Sequence, residues 1–119
     1  MANSGPFLDV REDGNTLIIG FTHSDMTDAN LINTVGDEIY HIVKEVDKPR
    51  LIVDFEKVER LSSATLGMLV ALRKVVSKMD GQLRISNVAD DLIEIFKMTR
   101  LDVTLRVCGS TEAAVKSFD

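Results

Sequence analysis

The chain has 119 residues, 45% of them hydrophobic and 28% charged, and a formal net charge of −5. That length fits one domain, and the apolar fraction suffices for a core without disulfides or metal. The acidic balance argues against nucleic acid as the main ligand, because phosphate binding needs a clustered positive field. A single cysteine, Cys108, excludes an intramolecular disulfide and favours a reducing compartment.

The opening residues, 1–6, lack the basic-then-apolar pattern of a secretory signal and read as a disordered lead-in ending at Gly5-Pro6. The longest apolar stretches, Leu17 to Phe21 and Leu66 to Leu72, fall far short of the ~20 residues that cross a bilayer. A cytoplasmic protein without membrane insertion is therefore expected, with one domain over 7–119.

Phe7 to Arg11 alternates in part and predicts a strand; Asp13-Gly14-Asn15 signals a turn; Thr16 to Phe21 predicts the second arm of a hairpin. Thr22 to Thr27 is polar and reads as a loop, with Thr27 as the expected helix cap. Leu31, Ile32, Val35, Ile39, Ile42, Val43 and Val46 recur at steps of three and four, one face of an amphipathic helix stopped by Asp47-Lys48-Pro49. Arg50 to Phe55 is a short apolar run and predicts a central parallel strand buried on both faces.

A charged connector, 56–60, leads to Leu61-Ser62-Ser63-Ala64-Thr65-Leu66-Gly67 and a helix reaching about Met79, ended by Asp80-Gly81. Gln82 to Val88 predicts a strand, Asp90 to Met98 a helix, Val103 to Val107 a last strand and Thr111 to Phe118 a terminal helix. The expected fold class is thus α/β, order β-β-α-β-α-β-α-β-α. It has a mixed, mostly parallel β-sheet with an N-terminal hairpin, about four α-helices and right-handed crossovers.

Catalytic constellations are poorly represented. His41 falls on the polar side of the first helix, and His23-Ser24-Asp25 reads as a polar turn rather than a trio. No CxxC, HExxH or phosphate-cradling glycine motif occurs, so neither metal nor cofactor is expected. Asp54 ends an apolar strand as a receiver-domain phosphoacceptor does, but the required acidic pair and lysine are missing after the flanking strands. It reads instead as a strand-end carboxylate bonded to loop amides. Cys108 is expected as a buried strand-end thiol.

The informative segment is Leu61 to Gly67. Its serines fit helix capping. The same helix start tolerates a phosphate, whose −1.5 to −2 charges would cost several kcal/mol if buried without a partner in an interface. Leu69, Leu72, Val76 and Met79 form an inward stripe on the following helix. Leu66, Met68 and Val75 are left to border solvent, a partner or a neighbouring element.

Arg50 to Phe55, the connector and Leu61-Ser62-Ser63-Ala64-Thr65-Leu66-Gly67-Met68-Leu69 together resemble the signature of STAS domains, which include the bacterial anti-sigma factor antagonists. Ile93-x-x-Phe96-x-Met98-Thr99-x-Leu101 and Ser110 to Ala114 resemble the family's third and last helices. The resemblance spans nearly the whole chain. It implies a STAS-like single domain that is not an enzyme but a phosphorylation-controlled binding protein. The phosphoacceptor it implies is Ser63, with Ser62 as the alternative, and the partner-binding residues are Ser62, Ser63, Ala64, Thr65, Leu66 and Met68. The implied partners are an anti-sigma factor that is also a serine protein kinase, and a serine phosphatase. The unphosphorylated form would bind the anti-sigma factor and release a sigma factor. Two positions depart from the family's pattern: Ser62 stands where it has aspartate, and Thr65 where it has its first glycine. A scaffold or subunit of a stress-signalling or lipid-transport complex, without a phospho-switch, is the alternative.

Overall fold

A computed structural model describes residues 6–118 of the chain. The lead-in expected over 1–6 lies outside them except for Pro6, whose carbonyl accepts a 2.6 Å bond from the Thr22 hydroxyl.

β1 (Leu8–Asp13) and β2 (Thr16–Phe21) form the expected antiparallel hairpin. Its two-residue loop is Gly14–Asn15, with Gly14 at φ +63, the left-handed sign such loops demand. β3 (Asp25–Met26) and β5 (Arg60–Leu61) make a small parallel pair that the sequence reading missed. α1 (Ala29–Val43) is capped by Asp28, whose carboxylate accepts from the Asn30 N–H, and not by Thr27. It also stops three residues before Val46, which still packs half-buried on the core.

β4 (Arg50–Asp54) is the central strand and is buried on both faces as expected. Leu51 and Val53 face the main core, whereas Ile52 faces a smaller cluster with Ile18 and Ala114. α2 (Ser63–Lys78) ends in a Schellman motif. The Gly81 N–H bonds the Val76 carbonyl at 2.9 Å and the Asp80 N–H bonds Ser77 at 3.1 Å, with Asp80 at φ +59. A Cβ on Gly81 would stand 2.3 Å from the Pro49 carbonyl oxygen, so only glycine fits where the chain turns into β6 (Gln82–Ser86).

α3 (Asp90–Met98) follows, and here the structure corrects the reading of the next segment. Leu101–Thr104 is a short helix, α4, and the last strand, β7, is only Val107–Cys108. Residues 101–107 satisfy two periods at once. Val103, Leu105 and Val107 alternate, while Leu101 and Leu105 stand four apart. The helical spacing prevails: Leu105 is fully buried, whereas Val103 is 76% exposed. α5 (Thr111–Lys116), capped by Ser110, follows, giving five helices among the described residues where about four were expected.

The main sheet has the order β1-β2-β4-β6-β7, antiparallel only at β1. α1, α2 and α3 cover one face through the larger core cluster, and α5 covers part of the other. The three layers put every parallel strand's C-terminal end at one pole of the molecule. Among the described residues, no helix is long and apolar enough to cross a membrane.

Candidate functional site

β4 delivers the chain to that pole, and β5 carries it to the start of α2. Ser62 is extended, at φ −122 and ψ 173, and is the N-cap of the helix. Ser63 occupies the first helical position and is exposed, as is Ala64. The first N–H groups of a helix have no partner within it, so Ser63 sits on the positive end of a 16-residue dipole with no acidic residue in the first turn.

The two serines differ in access. Ser62 Oγ is buried and makes no hydrogen bond, while Ser63 faces solvent. The Ser62 N–H donates to Thr65 Oγ1 at 3.4 Å, one arm of a capping box, but the Thr65 N–H bonds the Ser62 carbonyl at 3.0 Å.

Thr65 is 0% exposed, and its hydroxyl donates to the Met26 carbonyl at 2.6 Å. It thereby ties the α2 start to β3, and β5, paired with β3, closes the clamp. A side chain at this position is therefore accommodated inward. Replacing Thr65 with Val keeps the shape and removes the hydroxyl that serves both Met26 and Ser62. Buried groups left unsatisfied cost about 1–3 kcal/mol, and we expect a loss of about that size in urea unfolding. An unchanged midpoint would show that the clamp contributes nothing.

Leu66 is also buried, so of the six residues singled out in sequence only Ser62, Ser63, Ala64 and Met68 reach the surface, Ser62 and Met68 in part. Met68 and Val75 are half-buried rather than bare, because α1 lies alongside. A Cβ on Gly36 would come within 3.1 Å of Met68 Cγ, so the two helices meet closely there. Between them runs a cleft of about 300 Å³ whose mouth includes Ala64, Met68, Ala71, Gly36, Asp37 and Tyr40. The α1 wall was not identified from sequence. The available signal was Gly36 inside a helix, with exposed Tyr40 one turn on.

The remaining candidates do not assemble into a catalytic centre. His23 contacts Thr22 Oγ1 at 3.2 Å and stacks on Phe7, while Asp25 accepts from Thr27, so His23, Ser24 and Asp25 share no side-chain bond. His41 is exposed. Asp54 accepts from the Glu56 N–H at 2.9 Å and from Asn87 Nδ2 at 3.0 Å, as a strand-end carboxylate should. Cys108 is half-buried rather than buried. Among the described residues no group of three or more His, Cys, Asp or Glu side chains is placed to hold a metal.

A hairpin-led, mostly parallel sheet with a serine-rich helix start at its C-terminal pole defines a small α/β domain whose accessible feature is a hydroxyl beside a cleft. The chain belongs to the STAS domain family, whose model matches residues 8–114. No curated protein sequence matches it. An anti-sigma-factor antagonist (STAS) domain protein from Planctomyces limnophilus aligns with a TM-score of 0.80 at 16% identity, covering 92% of this chain and 95% of that one. The protein TM1081 from Thermotoga maritima gives 0.80 at 13%, covering 92% of each chain. The anti-sigma factor antagonist SpoIIAA, in its unphosphorylated form, gives 0.60 at 14%, covering 76% of this chain and 82% of that one. At such identities the likeness is one of fold.

Proposed function

We propose that this STAS domain is a phosphorylation-controlled antagonist of an anti-sigma factor in the cytoplasm. Its unphosphorylated form docks through the α2 start and the α1–α2 cleft, and a sigma factor is released. The partner is also an ATP-dependent serine kinase. Transfer of the γ-phosphoryl group forms the Ser63 Oγ–P bond, releases ADP and gives up the hydroxyl proton. A serine phosphatase restores the hydroxyl. The domain is ligand and substrate in this cycle, not catalyst.

One observation carries this reading: Ser63 is exposed on the first turn of α2, whereas the Ser62 hydroxyl is buried. A kinase must reach its acceptor, so access favours Ser63. Once attached, the phosphate rests on unpaired helix N–H groups and leaves the fold intact, while it places about two negative charges where a partner would close. The family's aspartate, absent at Ser62, is not needed to expose the acceptor.

The test is phosphotransfer from ATP by the cognate kinase, followed by site mapping with mass spectrometry. Modification is expected on wild type and Ser62→Ala and absent from Ser63→Ala. Phosphate persisting in the Ser63→Ala protein would refute the assignment. An unmodified protein under every growth condition in its own cells would favour the scaffold reading.

A further inference from the structure

At the pole opposite Ser63 lies a second cleft, of about 440 Å³, between the end of α2, the start of β6 and the α4–β7 connection. Ser63 and Ser77 are fourteen residues apart on α2, or about 21 Å along its axis. Arg73 and Ser77, one turn apart, line one wall, and Arg106 the other. All three are exposed. Neither arginine pairs with a carboxylate among the described residues, and Ser77 Oγ makes no bond there. Asp80 and Asp102, the acids nearest in sequence, do not line the cleft.

The floor adds a backbone donor. In the β6 ladder the Ile85 N–H points outward to the Arg106 carbonyl at 3.2 Å. By alternation the Leu83 N–H points the same way, but β7 pairs only with Ile85 and Ser86 and does not reach it. Thr104 contributes shape alone, because its hydroxyl is engaged with the Arg100 carbonyl at 3.3 Å.

We propose that this cleft binds the phosphate group of a small soluble molecule. Arg73, Arg106, Ser77 and the Leu83 edge line the cleft from three chain segments, and Arg84, also in its lining, is already bonded to the Leu83 and Ser117 carbonyls. The first four offer more donors, in more directions, than the two coplanar oxygens of a carboxylate can accept, and they suit a tetrahedral anion. The negative end of the α2 dipole opposes an anion here, so binding must come from the arginines that line the cleft; Lys74 and Lys78, like Asp80 and Asp102, lie outside its lining. A concave site of this size on a chain of net charge −5 takes a compact ligand rather than a nucleic acid.

The probe is inorganic phosphate, titrated into ¹⁵N-labelled protein at about 0.15 M salt to screen diffuse attraction. Saturable shifts are expected at the Ser77, Leu83 and Arg106 amides. Arg73→Ala should weaken binding at least tenfold, about 1.4 kcal/mol, and Arg73→Lys should recover part of it. Arg11→Ala, on the hairpin, should bind as wild type. Arg73 is exposed, so a native spectrum of its variants separates lost binding from lost fold. Absence of saturation, equal shifts with acetate, or unchanged affinity in Arg73→Ala would each overturn the proposal. None of these outcomes bears on Ser63.

Discussion

Ser63→Asp should weaken capture of the proposed anti-sigma partner about 100-fold relative to Ser63→Ala, a loss of about 2.7 kcal/mol. Position 63 is exposed beside the α1–α2 cleft, so a docked partner would remove the carboxylate of the aspartate variant from water. A charge desolvated without a counter-ion costs several kcal/mol, and the single aspartate charge is a lower bound on what a phosphate does. Stability should move the other way. A carboxylate in the first turn of a helix gains about 0.3–1 kcal/mol from the dipole. Titration calorimetry with the purified partner and urea unfolding of the free domain therefore report opposite signs. Equal affinity of the two variants would remove the electrostatic basis of the switch. Lowered stability of the aspartate variant would mean that the helix start is not as described.

Phe55→Ala should be the most damaging single change to the fold. Phe55 is 0% exposed. Its ring stands edge-on to Phe21 at 5.3 Å and to Phe96 at 5.9 Å, joining β2, the end of β4 and α3. Removing a buried phenyl ring costs about 3–5 kcal/mol through lost transfer energy and the cavity left behind. Domains are stable by only about 5–15 kcal/mol, so this single change removes a large share of the margin. Circular dichroism in urea measures this directly, and Met98→Ala supplies the contrast. Met98 is 83% exposed, and its loss should stay within about 0.5 kcal/mol. Similar midpoints for the two variants would mean that the aromatic cluster does not organise the core.

Long periodic segments were legible in the sequence because burial imposes their period. The α1 stripe from Leu31 to Val43, the doubly buried Leu51–Val53 run and the hairpin all lie where their residues placed them. β3 and β5 were not legible, since two-residue strands carry no period and their pairing spans a long stretch of chain. Residues 101–107 misled because one set of apolar side chains served two spacings. At the site, the serine-rich helix start could be read directly. The inward turn of Thr65 could not, because its partner, the Met26 carbonyl, belongs to an unrecognised strand. Nor could the arginine cleft, whose walls come from three segments distant in sequence.

The common direction of β2, β4, β6 and β7 has a practical consequence. The Gly14–Asn15 loop precedes β2 and Ser63 follows β4, so the two lie at opposite ends of the molecule. Both loop residues are exposed and carry no core contact. A fluorophore or short epitope grafted there would act as a remote handle, free to report complex formation in real time without obstructing the proposed docking face.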